Sequence, residues 1–323
     1  MIVGRELIVD VTKRLPQGAV SRAWGWLARR RRPRLGVLAL QRAFVAATGI
    51  DMTEAEGSVD DFACLQDLFV RRLRPGMRSI DPDPAVVVCP VDGTVGACGT
   101  VHDGMLTQIK GRTYSLERLL GSAAEAAHFA GGVYATFYLA PRDCHRIHAP
   151  VSGQVCDATA IPGHLLPVFA AALERVDELF ARNERLITYI DSADAGRVAL
   201  VKVGATLVGR ISVSYDATLR TNDAAQGQRT VHYDPPRLLQ KGADLGAFEL
   251  GSTVVLLGQA GRLSLDEMAP GLTVRLGQRI GSLVPRRAQR RARGSGRREG
   301  APRAAPRGRS RRPRSDSEKK KDE

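Results

Sequence analysis

The chain has 323 residues, 43% of them hydrophobic and 5% aromatic, and a formal net charge of +14. It is long enough to bury a large core in one domain or two, and it lacks a run of about eighteen apolar residues, which excludes a membrane-spanning helix. The charge is uneven: residues 286–323 hold 16 Lys and Arg against 5 Asp and Glu, so residues 1–285 carry a net of only +3.

Residues 1–75 read as a helical N-terminal region. Charges at Arg5, Glu6, Asp10, Lys13 and Arg14 interrupt its first residues, so no cleavable signal peptide is expected. With no transit peptide either, a bacterial source is expected. Apolar spacing predicts helices over 21–32 and 35–48, with Arg29, Arg30, Arg31, Arg32 and Arg34 between them. Trp24 and Trp26, the only tryptophans, lie beside those arginines. The pairing suits peripheral contact with an anionic leaflet, rings at headgroup depth and guanidinium groups on lipid phosphates. The alternative is a solvated basic turn beside two core tryptophans. Leu65, Leu68, Phe69 and Leu73 continue at helical spacing through 58–74, with Arg71, Arg72 and Arg74 in the last turn.

Residues 76–285 read as a β-rich catalytic core. Strands are expected at 85–89, 133–139, 198–203, 205–208, 211–213, 254–257 and 272–276. Gly204 and Gly209 interrupt three of them, as bulges or barrel corners do. Residues 163–182 read as helix or loop, with Leu165, Leu166, Val168 and Phe169 as an apolar patch. The fold class expected is therefore α+β, with a helical membrane-contacting N-terminal region and a barrel-like core. Residues 286–323 read as a disordered basic tail, either a solvated extension or a weak adhesive for anionic lipid or nucleic acid; no specific nucleic-acid partner is expected. The five cysteines (Cys64, Cys89, Cys98, Cys144, Cys156) form no Cys-x-x-Cys pair, which suits a reducing compartment.

The chemistry concentrates in FELGST at 248–253. Gly251 has no side chain to shield its carbonyl, and Ser252 carries a hydroxyl that can attack it if a base is near. His148 is the candidate base, since imidazole titrates near neutral pH. Asp92 is its candidate partner, a carboxylate on one ring nitrogen that fixes the tautomer. Singly, each piece has a plainer reading: Asp92-Gly93 is a turn signal, His148 a structural histidine, and Gly251-Ser252 a bulge or strand start. Attack would convert the amide to an ester. Removal of the α-proton of the former serine would then expel the Gly251 carboxylate and leave a pyruvoyl group on residue 252. Such a ketone condenses with a primary amine to an imine and draws off electrons as an α-carboxylate leaves as carbon dioxide, with no external cofactor.

Taken together and in this order, CPVDGTVG (89–96), YLAPRDCHRIHAPVSG (138–153), LFARNER (179–185), VGATLVG (203–209) and FELGSTVV (248–255) resemble the phosphatidylserine decarboxylases, over roughly residues 35–283. The resemblance implies a zymogen that cleaves itself at Gly251-Ser252, with Ser252 becoming the pyruvoyl group and His148, Asp92 and Ser252 as the processing machinery. It implies a weaker assignment for His145, near the imine and the returning proton. It implies phosphatidylserine as substrate, phosphatidylethanolamine as product, a heterodimer of the two cleavage fragments, and a peripheral place on the cytoplasmic face of the cell membrane. Self-association stays open. Cys144 stands where the family more usually has Tyr or Phe, and His164 where it often has another polar residue; either can alter lipid fit or pH response.

Three other readings compete. A serine hydrolase would keep Asp92, His148 and Ser252 as a standing triad, but LGSTV is not the Gly-x-Ser-x-Gly elbow. A membrane-binding protein that kept the fold would not need the reactive set. A pyruvoyl decarboxylase of a soluble amino acid would not need the Trp- and Arg-bearing N-terminal region. A metal at His145 and His148 lacks a third ligand at zinc spacing, so no metal is expected.

Overall fold

The computed structural model describes residues 17–108, 112–206, 210–221, 227–249 and 252–285. The basic tail, Leu250-Gly251, positions 1–16 and the end of the expected 205–208 strand lie outside the described residues.

Two helices come first, α1 (Gln17–Ala28) and α2 (Arg34–Thr48). The second ends at Gly49, whose φ of 72° is the left-handed cap that glycine adopts without strain. A short helix, α3 (Leu65–Phe69), follows. Helical spacing through residue 74 overstates it, because the backbone beyond Phe69 finds other partners. Arg74 N donates to Glu54 O at 2.9 Å, and Glu56 N to Arg72 O at 2.8 Å. Residues 71–74 are thus extended against 54–56, and their arginines leave a loop rather than a helix. The two tryptophans divide: Trp24 packs with Leu40 and Phe44 on the cluster of Leu65, Leu68 and Phe69, whereas Trp26 is 57% exposed.

The rest of the chain is strand-rich. In order come β1 (Val86–Val88), β2 (Gly93–Thr100), β3 (Met105–Thr107) and β4 (Thr113–Ser115), then α4 (Leu116–Leu120), α5 (Ala123–His128) and β5 (Val133–Leu139). Next are β6 (Arg146–His148), β7 (Gly153–Ile161), α6 (Ala170–Arg175), α7 (Leu179–Arg182), β8 (Arg185–Ser192) and β9 (Gly196–Val203). The last are β10 (Ile211–Val213), β11 (Arg229–Leu239), β12 (Asp244–Phe248), β13 (Ser252–Gly258), β14 (Leu263–Leu265), β15 (Thr273–Val274) and β16 (Arg279–Leu283).

Eight strands form one antiparallel sheet in the order β11-β7-β8-β9-β13-β5-β2-β15. The sheet is open, with β11 and β15 as edges, so the core is not the barrel that the glycines suggested. Gly204 is no barrel corner. It follows β9 directly and its amide donates to Glu184 O at 2.8 Å, where the chain leaves the sheet. What replaces closure is cover on both faces. One face, with Val254, Leu256, Phe137 and Leu186, meets Ile147, Ile211, Leu245 and Phe248 of the small sheet β10-β12-β6, and Val87, Leu263 and Ile280 of β1-β16-β14. The other, with Val255, Leu257, Val201 and Tyr189, meets Leu116, Leu119, Leu173 and Phe180 of the short helices. A strand buried on both faces needs apolar residues at every position, and that is why 254–257 is an unbroken apolar run rather than an alternating one.

Asp92-Gly93 is not a turn. Gly93 opens β2 and lies so close to β5 that a Cβ there would stand 2.5 Å from Tyr138 O. The glycine is a requirement of strand approach, and it fixes Asp92 at the entrance of the sheet.

Candidate active site

The site is organised by one loop, residues 140–145, between β5 and β6. Its shape is set by Asp143, whose carboxylate accepts from Ala140 N at 2.7 Å while its own amide donates to Ala140 O at 2.9 Å. The strands on either side of the FELGST segment are pinned to the strands on either side of this loop. Upstream, Ala247 pairs with Arg146, and Phe248 N donates to His145 O at 3.0 Å. Downstream, Ser252 pairs with Leu139 at the first position of β13. Gly251 and its neighbour Leu250 lie outside the described residues, but on either side of them Phe248 is bonded to His145 in the loop and Ser252 pairs with Leu139, which directly precedes it.

His145 is fully buried, its ring centroid 4.1 Å from that of Phe69. Its Nδ1 lies 2.9 Å from Asp143 O; a carbonyl only accepts, so Nδ1 carries the proton and Nε2 the lone pair. Nε2 has no partner among the described residues. Burial pushes the pKa down to about 3, so the ring is neutral at working pH. At rest this histidine is a proton acceptor through Nε2. The proton return implied by the resemblance requires it to be loaded first.

His148 sits at the end of β6, opposite Asp244 in register, its amide donating to Pro90 O at 2.8 Å. Its Nδ1 is buried without a partner among the described residues. Burial lowers its pKa, Asp244 opposes that shift, and Arg146, itself ion-paired to Asp244, adds to it.

Asp92 is buried, and its carboxylate is held by groups the sequence did not nominate. Arg78 donates through Nε at 2.9 Å and Nη2 at 2.6 Å, and Leu276 N at 2.8 Å. The bond from the carboxylate to one ring nitrogen expected from the sequence is absent among the described residues, and Asp92 acts on His148 through charge, favouring the imidazolium. Arg78 also takes Glu54 at 2.7 Å, and these two carboxylates raise its already high pKa.

Two cavities meet here. One, of about 400 Å³, is lined by His148, Arg146, Asp244, Arg72 and Arg74. The other, of about 220 Å³, is lined by Asp92, Arg71, Asp143, Arg142 and Arg275. Leu73, Arg78 and Cys144 border both. Cys144 is buried, and a small side chain there leaves space that an aromatic ring would fill. Phe69, Arg71, Arg78 and Asp244 were not read as site residues. The available signal was the density of arginines at 71–78, obscured by their reading as the last turn of a helix.

The sequence model of the phosphatidylserine decarboxylase family matches residues 65–282. The chain is 46% identical over 277 residues to the phosphatidylserine decarboxylase proenzyme of Anaeromyxobacter sp. (strain K), covering 85% of this chain and 98% of that one. It is 42% identical over 268 residues to the proenzyme of the same name from Myxococcus xanthus (strain DK1622), covering 83% and 95%. On these matches the molecule, α+β in fold, is a carboxy-lyase. It belongs to the phosphatidylserine decarboxylase family.

Proposed function

We propose that this chain is made as a proenzyme, cleaves itself between Gly251 and Ser252, and then decarboxylates phosphatidylserine to phosphatidylethanolamine at a membrane surface. The observation that carries the reading is that the residues flanking Leu250-Gly251 are held at the two ends of the histidine loop, Phe248 N on His145 O and Ser252 against Leu139 just before it.

In processing, His148 takes the Ser252 hydroxyl proton as the oxygen adds to the Gly251 carbonyl. The C–N bond breaks, and the amide becomes an ester with a free amine on residue 252. Loss of the α-proton of residue 252 then breaks its Cβ–O bond and releases Gly251 as a carboxylate. The unsaturated residue left behind takes up water and loses ammonia, which leaves a pyruvoyl group. The residues fit such a group: two buried ring nitrogens, His145 Nε2 and His148 Nδ1, lack partners among the described residues at this end of the sheet. The ketone supplies an electron sink for an amine whose α-carboxylate leaves as carbon dioxide. His145, neutral with its lone pair on Nε2, accepts a proton there as the substrate ammonium is made nucleophilic, and holds it for return to the α-carbon. Phe69 packs against its ring, and Nε2 itself is buried.

The two fragments would stay together, because β13 lies between β9 and β5 while β15 pairs with β2 and β16 with β1. Intact-mass spectrometry tests the reading. The expected result is a C-terminal fragment of residues 252–323, lighter by one ammonia than hydrolysis alone gives, co-eluting with residues 1–251 until denaturant is added. A single full-length mass from active protein would overturn it.

No helix among the described residues is long and apolar enough to cross a membrane. Peripheral membrane contact is supported by α1 and α2, where Trp26 and Leu35 are 57% and 83% exposed and the Arg30 guanidinium lies 3.7 Å over the Trp26 ring. Exposed apolar anchors beside guanidinium groups fit an anionic interface. Trp26→Ala with Leu35→Ala is expected to weaken co-sedimentation with phosphatidylglycerol vesicles about tenfold, roughly 1.4 kcal/mol; unchanged binding would remove these helices from the interface.

A further inference from the structure

The smaller cavity is lined by a cation that forms no ion pair among the described residues. Arg71 is only 4% exposed, and its Nε and Nη1 have no hydrogen-bond partner among the described residues. Its Nη2 is committed to the histidine loop, donating to Arg142 O at 2.8 Å. Every carboxylate lining the cavity is engaged elsewhere. Asp92 and Glu54 are bound by Arg78. Asp143 accepts from Ala140 N, and Asp51 accepts from Thr53 through N at 2.8 Å and Oγ1 at 2.6 Å. Burying a guanidinium costs several kcal/mol unless an anion compensates it, and an orphaned pair of buried N–H donors adds to that cost. Burial accordingly lowers the Arg71 pKa, the direction expected of a cation missing its partner.

We propose that Arg71 is the anchor for the phosphate of the substrate headgroup, offering its charge and one free N–H donor, Nε or Nη1, at the wall of the cavity of about 220 Å³ that it lines. This rests on the decarboxylase reading and names the residue that selects a phospholipid within it. The two free donors point to opposite sides of the guanidinium plane's long axis, Nη1 lying cis to Cδ and the Nε N–H trans to it, so each donates separately; a charge-assisted N–H donates strongly to a phosphate oxygen. The substrate carries two anionic groups, and the chemistry chooses between them. A guanidinium on the carboxylate would stabilise the ground state more than a transition state in which that charge is leaving, and so would slow the reaction. The phosphate keeps its charge throughout and can be held tightly without that penalty. Arg71 also grips the loop that carries His145, so an occupied anchor and a correctly placed histidine depend on the same side chain.

The test begins with uncleaved protein carrying Ser252→Ala, where the cavity exists and processing plays no part. Glycerophosphoethanolamine and inorganic phosphate are titrated by calorimetry into this protein and into the same protein with Arg71→Met or Arg71→Lys. Binding of glycerophosphoethanolamine that weakens at least tenfold in Arg71→Met, with partial recovery in Arg71→Lys, is the result expected. Equal binding of inorganic phosphate would identify a general phosphate site, and preference for the diester a headgroup site; both support the anchor if they depend on Arg71. No binding of either probe, or binding indifferent to Arg71, would overturn it.

Kinetics on cleaved protein gives the second arm. The kcat/KM of Arg71→Met is expected to fall at least thirtyfold for phosphatidylserine, mainly through KM, and less than threefold for O-decylserine, which has the amine and carboxylate but no phosphate. An equal loss on both substrates would make Arg71 a scaffold for the loop and sink the proposal. A wild-type protein that binds the diester but releases no carbon dioxide from phosphatidylserine would instead count against the decarboxylase reading, leaving the anion site in place.

Discussion

Replacing Ser252 with alanine is expected to leave one uncleaved chain of 323 residues with no measurable decarboxylation. The substitution removes a single oxygen. That oxygen is the nucleophile of the acyl shift and the atom that departs with the Gly251 carboxylate in the elimination, and without those steps water has no unsaturated residue to convert to the ketone, so no partial function remains. Ser252 enters β13 through its backbone pairing with Leu139, and alanine retains the same N–H and C=O, so the sheet has no reason to change. Circular dichroism and thermal unfolding should match the wild-type proenzyme while mass spectrometry shows no fragment. Carbon dioxide released by the alanine variant would eliminate the pyruvoyl route altogether.

The second large effect is expected at His148. Removing a general base typically costs about 10²- to 10⁴-fold, so His148→Ala should turn processing from a step complete on purification into one followed over days. The pH profile carries more information than the rate alone. A base works in its neutral form, and burial lowers the pKa of His148 below its ordinary value of 6.5. The acid limb of processing should therefore have its midpoint below pH 6.5. Asp244 favours the imidazolium and Arg146 opposes it. Asp244→Asn removes the first and leaves the second unpaired, so the acid limb should move to still lower pH. A limb that moves upward, or a profile centred at or above pH 6.5, would assign the proton transfer to another group. Normal cleavage in His148→Ala would do the same directly.

Much of the fold was legible because it depends on local pattern. The strand expected at 133–139 is β5 and that at 211–213 is β10, each with the same ends, and the unbroken apolar run at 254–257 is the interior of β13. Other elements escaped that reading. β7 and β11 carry polar residues at many positions, and β11 is an edge strand with one partner only, so neither has a strong apolar period. The helix over 58–74 was overextended because its leucines keep helical spacing while the backbone of 71–74 pairs with residues 54–56. A sidedness signal cannot distinguish a helix face from an extended segment that presents the same residues to a core.

The site divides along the same line. Asp92, His145, His148, Gly251 and Ser252 could be nominated from sequence because each sits in a short motif whose chemistry is local: a glycine that exposes a carbonyl, a hydroxyl beside it, an imidazole that can take a proton. The partners of those groups could not. Arg78 reaches Asp92 across 14 positions, Phe69 reaches His145 across 76 and Asp244 lies opposite His148 from 96 positions away, contacts made only when separate sheets and the N-terminal helices close on one loop. Motif order and hydrophobic period were thus determined by the sequence itself. The open sheet, the fork of Arg78 on Asp92, the neutral tautomer of His145 and the unpaired guanidinium of Arg71 were decided by tertiary structure, because charge state and hydrogen-bond partner depend on distance through space and on exclusion of water, neither of which is written in neighbouring residues.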